Sequence, residues 1–191
     1  MNPCTAFVRS VQADYAAIQQ SQQRYHGRGL PDWRLPIEAV RRIGFQMMIV
    51  VRVMRLVRDM RIPLAAQVVS RTIRYVYGAE IHWDAEIADG VSIVHGTGLV
   101  LSHCSVIGPG CILFQGVTLG ESIDPVSREV GAPHLGRNVH VGPGAVLLGP
   151  ISVGDGTKLM ANVVLDRSVP AESVVRAPVP QVVARGGEAV Q

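Results

Sequence analysis

An aliphatic residue returns every six positions through the second half of this chain. Ile81, Ile87, Ile93 and Leu99 keep the beat, and after a two-residue slip it continues at Ile107, Leu113 and Leu119. The segment "GESIDPVSREVGAPH" interrupts it, and it resumes at Leu135, Val141, Leu147, Val153, Leu159 and Leu165. A period of six is neither helical nor simple strand alternation. It fits short strands joined by tight turns and wound into a parallel β-helix, with the repeating aliphatics stacked as the core. Glycine or another small residue often follows the aliphatic one, as in "VGPGAV" and "VGDGTK", which relieves crowding at the corners.

The first part of the chain has a different period. "PCTAFVRSVQADYAAIQQSQQRYH" reads as a helix, with a break at "GRGLPDW". "PIEAVRRIGFQMMIVVRVMRLVRDMRIP" places apolar residues at helical spacing, with Arg41, Arg42, Arg52, Arg55 and Arg58 interleaved. "LAAQVVSRTIRYVYG" gives a further helix closed by Gly78. The expected class is therefore α+β. A helical region spans 1–76, and a β-helix spans 77–176 with a protruding loop at 120–134. The tail at 177–191 breaks the beat.

Bulk properties narrow the function. The 191 residues allow one core with a helical appendage. With 48% apolar and 17% charged residues, disorder is not expected over most of the chain. A net charge of +3, with Lys158 as the single lysine, does not imply a nucleic-acid partner. Cys4, Cys104 and Cys111 are odd in number and lack CxxC spacing, which argues against a disulfide framework or zinc knuckle and for a reducing cytoplasm. The N-terminus has no apolar signal-peptide core, and the longest apolar run, Phe45 to Val51, is too short to span a bilayer. The Arg-laced helix at 37–61 is apolar on more than one face, so packing on the β-helix or a neighbouring subunit is favoured over a membrane surface.

Three segments, "IHWDAEIADGVSIVHGTGLVL", "GVTLG" and "GAPHLGRNVHVGPGAVLLGPISVGDGTKL", resemble the hexapeptide-repeat acyltransferases, and within them the serine acetyltransferase-like branch. The resemblance runs from about Gly78 to Val175. It implies a left-handed coil and a homotrimer with active sites between subunits, with docking of two trimers through the helices as an option. It also implies acetyl-CoA as co-substrate in the groove between subunits, and no metal. His95, in the pattern His-x-Thr-Gly, falls on the family's catalytic histidine. The chemistry suits one imidazole: an alcohol attacking a thioester must lose its proton, and neutral histidine accepts it near physiological pH. Backbone N–H groups at a tight corner can stabilise the oxyanion. Glu80 stands where the family has an aspartate that orients the histidine. By position in the family groove, Gly120, Pro143, Lys158 and Ala161 are expected to meet the coenzyme.

Two departures concern the acceptor. Val94 replaces the aspartate that precedes the catalytic histidine, and Ala132 stands at the histidine of the family's Arg-His-Pro loop. Charged grips on an amino acid discriminate strongly, so their loss predicts a changed substrate. The pattern "GAPHLG" is similar to members that acetylate sugars of polysaccharides, and His134 becomes the candidate acceptor-site residue. The expectation is acetyl transfer to a hydroxyl of a sugar, a glycan or another small metabolite. Serine O-acetylation and a non-catalytic trimeric scaffold are the alternatives. A zinc hydratase reading through His95 and His103 lacks the flanking residues such a centre needs.

Overall fold

The computed structural model describes residues 2–27, 29–124 and 127–179. Helix α1 (Pro3–His26) begins with the Asn2 side chain accepting the Cys4 amide at 3.0 Å and ends at Gly27, whose φ of +65° closes the last turn. A single 3-10 turn, Asp32–Arg34, leads into α2 (Leu35–Arg41), α3 (Ile43–Asp59) and α4 (Pro63–Tyr77). The run after Pro36, expected as one helix, is broken at Arg42, which is extended at φ −107° and ψ 106°. The break re-aims the chain so that α3 lies against the β-helix wall. Pro63 starts α4, and Gly78 ends it at φ +64°.

Strands of two or three residues then build three parallel sheets, one strand per sheet in each full turn of the coil. The first sheet holds β1 (Glu80–Ile81), β4 (Val100–Leu101), β7 (Thr118–Gly120), β12 (Val146–Leu148) and β15 (Val164–Leu165). The second holds β2 (Glu86–Ile87), β5 (Val106–Ile107), β10 (His134–Leu135) and β13 (Ser152–Val153). The third holds β3 (Ser92–Ile93), β6 (Ile112–Leu113), β11 (His140–Val141), β14 (Lys158–Leu159) and β16 (Val174–Val175). Outside the wall, β8 (Ser122–Ile123) and β9 (Val130–Gly131) pair antiparallel in the loop. This is the expected α+β class, with helices preceding a left-handed parallel β-helix. Residues 180–191 of the expected tail lie outside the described residues.

The beat residues line the inside of the prism. Ile81, Leu113, Leu119, Val141, Leu147 and Leu159 are all 0% exposed. Burial of each such side chain is worth roughly 1.5–3 kcal/mol, so a stack of them is the main source of stability. The position of the slip is corrected by the structure. Ile81 pairs with Leu101, and Leu101 with Leu119, so Leu101 rather than Leu99 is the rung residue of the first sheet. Ile93 pairs with Leu113. The two extra residues therefore lie between Ile93 and Leu101, in the turn that carries His95. Leu99 is also buried, and its carbonyl accepts the Glu80 amide at 2.7 Å; in sequence it looked like a rung because it is aliphatic and falls six positions after Ile93.

Two features fix the helices on this wall. Arg52 and Asp14, 2% and 1% exposed, form a two-pronged ion pair with both contacts at 2.8 Å. Arg52 also donates to the carbonyls of Ile87 and Ala88, and Asp14 accepts the Gly90 amide at 2.9 Å. One buried knot thus joins α1, α3 and the β-helix. Among the described residues, no helix is long and apolar enough to cross a membrane.

Candidate active site

His95 has a φ of +53°, a left-handed conformation that few non-glycine residues take. The two inserted residues make its turn wider than those stacked beside it. Helix α3 then packs against the turn at two points. A Cβ at Gly44 would meet the Ile93 carbonyl, and a Cβ at Gly96 would lie 2.5 Å from Met47 Sδ. Glycine at both positions permits this approach, and the His95 side chain is left exposed at the rim.

The rim opens on a cleft of about 370 Å³ walled by Ile18, Arg41, Arg42, Phe45 and Val94. Its polar wall comes from the break between α2 and α3 and the first turn of α3, whose free amides form the positive end of a helix. Arg42 is held by an ion pair to Glu38, one helical turn earlier and buried. Behind the cleft, the Tyr15 ring lies 6.0 Å from Phe45, and its hydroxyl donates to the Pro31 carbonyl at 2.8 Å. The cleft therefore joins one imidazole, two guanidinium groups and an apolar floor. It can take a proton from a hydroxyl and hold an anionic group. A larger cleft of about 420 Å³ lies along α3 beside Trp83, but no imidazole or thiol lines it. Its Arg52 is committed to Asp14, its Arg58 donates to the Trp83 carbonyl, and its Arg55 pairs with Asp89. Chemistry favours the smaller cleft.

The other sequence candidates are scattered. Glu80 is not joined to His95: its carboxylate pairs with Arg74 of α4 at 2.6 Å. The reason is direction, since Ile81 takes the inward position on β1 and Glu80 points outward, where α4 passes. Pro143 and Ala161 share a corner with His95. The chain there is stitched by Gly98 N–H to the Gly78 carbonyl, Gly116 to Thr97, Gly144 to Gln115 and Asn162 to Pro143, at 2.8–3.0 Å. Lys158, on β14, leads into that corner and is exposed. Gly120 ends β7 at the opposite edge of the first sheet. His134 belongs to β10 in the second sheet, the face opposite the His95 corner, rather than to the loop itself. Arg41, Arg42 and Glu38 were missed as site residues because the sequence reads as an unbroken amphipathic helix there.

Residues 132–167 match the family model "Bacterial transferase hexapeptide (six repeats)". The serine acetyltransferase of Helicobacter pylori is 35% identical over 130 residues, covering 68% of this chain and 75% of that protein. That of Synechococcus elongatus is 34% identical over 146 residues, covering 75% of this chain but 58% of the relative, so the chain spans little more than half of that protein's length. The structure of Neisseria gonorrhoeae serine acetyltransferase in complex with serine superposes with a TM-score of 0.77 at 27% identity, covering 92% of this chain and 68% of that one. These relatives overturn the expectation of a sugar or glycan acceptor. That expectation weighed only residues of the β-helix turns and loop, Val94 and Ala132, and left out the arginines that the helices bring to the cleft.

Proposed function

Because this chain belongs to the serine acetyltransferase family, we propose that it transfers the acetyl group of acetyl-CoA to the hydroxyl of L-serine, with His95 as general base. The observation that carries this reading is the left-handed His95 turn at the mouth of a cleft walled by Arg41 and Arg42. As the serine oxygen bonds to the thioester carbonyl carbon, its proton passes to the His95 imidazole. The tetrahedral intermediate collapses with loss of the coenzyme thiolate, which takes the proton back from His95. Backbone N–H groups of the corner stabilise the oxyanion. Arg41 holds the serine carboxylate, a planar anion that a guanidinium matches in shape and charge, while Arg42, fixed by Glu38, lines the cleft beside it.

Pro143 and Ala161, stacked along the corner from His95, line the path of the coenzyme's pantetheine arm, with Lys158 and Gly120 at its margins. A homotrimer with sites between subunits belongs to the same proposal, since one chain keeps His134 and Gly120 on edges away from His95. So do a cytosolic location and a division into a helical region (1–76), a β-helix (77–176) and a tail (177–191). Release of free thiol from acetyl-CoA in the presence of L-serine tests the reaction. The expected result is turnover that falls about 10²–10⁴-fold in His95→Ala, the usual contribution of a general base. Arg41→Gln should raise the KM for serine roughly tenfold or more, the worth of a charge-assisted hydrogen bond. A wild-type chain that neither binds acetyl-CoA nor releases thiol with serine would leave a non-catalytic scaffold.

A further inference from the structure

Among the described residues, His103, Cys104 and Glu121 gather three metal-ligating side chains outside the cleft, with their ligand atoms all within 4.8 Å of one another. The coil itself assembles them. Ile81, Leu101 and Leu119 are paired rungs of the first sheet, and two residues beyond the last two come His103 and Glu121, side by side on neighbouring coils. His103 Nδ1 lies 3.3 Å from Glu121 Oε2. Cys104 follows His103 in the same turn, and its thiol is hydrogen-bonded to the Glu121 carboxylate. One coil below, His82 presents its ring 5.5 Å from that of His103 and is braced 3.8 Å from the Trp83 ring.

We propose that His103, Cys104 and Glu121 form a zinc site, with one coordination position left for water. The donor set is imidazole nitrogen, thiolate sulfur and carboxylate oxygen. Magnesium and calcium take oxygen ligands, whereas zinc accepts all three donor types. Zinc bonds of about 2.0–2.3 Å at tetrahedral angles put ligand atoms roughly 3.5 Å apart. The His103–Glu121 spacing already meets this, and the cluster's outer spread closes with a rotamer change of exposed or half-buried side chains. His82 is not a ligand. Its Nδ1 accepts the Asp84 amide at 3.1 Å, so the neutral ring keeps its proton on Nε2 and serves as a donor beside the site. His95 precedes β4 and His103 follows it, so the two lie at opposite edges of one sheet. The site makes no use of the acetyl-transfer reading.

Cobalt(II) is the probe, titrated into the metal-stripped full-length protein. The expected result is saturation at one equivalent with a near-ultraviolet thiolate-to-cobalt charge-transfer band that zinc abolishes on displacement. Cys104→Ser should lose the band. His103→Gln and Glu121→Gln should weaken binding at least about tenfold, the loss typical even of groups that only support a ligand. Cys4→Ser should change nothing, and circular dichroism checks the fold of every variant. A band that survives in Cys104→Ser, or wild-type affinity no tighter than that of the His103 and Glu121 variants, overturns the site.

Discussion

Gly44 lies so close to Ile93 that a Cβ on it would stand 1.9 Å from the Ile93 carbonyl oxygen. This approach seats the first turn of α3 beside the His95 turn and brings Arg41 and Arg42 to the cleft. Gly44→Ala gains up to about 1 kcal/mol of helix propensity. Against this, backbone must move to admit the methyl, a penalty of about 1–3 kcal/mol. The clash wins. Urea unfolding should show a net loss of up to about 2 kcal/mol, and thiol release with serine should fall as the arginines draw back. An unchanged midpoint would mean that α3 can shift freely.

His95 stores strain. A non-glycine residue in the left-handed region costs about 1 kcal/mol, which glycine does not pay. His95→Gly and His95→Ala should therefore be equally inactive, while urea unfolding finds the glycine variant the more stable by about 1 kcal/mol. Equal stabilities would show that the turn relaxes when the imidazole is removed.

Arg52 and Asp14 should be costly to separate. Burial pushes the Asp14 carboxyl up, and the Arg52 guanidinium beside it opposes that shift. Arg52→Met leaves a buried carboxylate alone and should cost about 3–5 kcal/mol. Adding Asp14→Leu restores part of this at most, because the Ile87 and Ala88 carbonyls and the Gly90 amide also lose partners. A double-mutant cycle by urea denaturation measures both terms.

Cys111 predicts an alkaline loss of stability. Burial pushes its thiol up from 9.0 to about 11, and its sulfur donates to the Gly136 carbonyl at 3.1 Å. The unfolded chain releases this proton near pH 9, whereas the native chain keeps it until about pH 11. The stabilisation is thus complete below pH 9 and is lost as pH rises to about 11, in total roughly 3 kcal/mol. Cys111→Ala should flatten that part of the stability profile relative to the wild type. The same burial should keep Cys111 from a thiol reagent that labels exposed Cys4 in the native protein.

Local patterns carried most of the fold. Aliphatic spacing of six, the helix closed by Gly78 and the helical run of α1 each depend on neighbours in sequence, and apart from Leu99 they reappear in the structure at the expected residues. The His95 turn was visible as a motif, but its two extra residues were misplaced. Leu99 and Leu101 are both buried, and only strand pairing distinguishes a rung from a turn residue that also faces inward.

What the chain's own order determined, then, is the repeat, the helical preface and the identity of the one histidine set in a His-x-Thr-Gly turn. What only the tertiary structure decided is which side chains meet. Arg42 stands beside His95, more than fifty positions away, because the helix breaks and Gly44 lets it close on Ile93. Glu80 turns to Arg74 because its neighbour Ile81 claims the core. Glu121 reaches His103 and Cys104 because one coil of the β-helix returns the chain to the same corner. Spacing along the chain records periodicity, since a local backbone repeats locally; contacts between coils and helices depend on register and crossing, which no local interaction encodes.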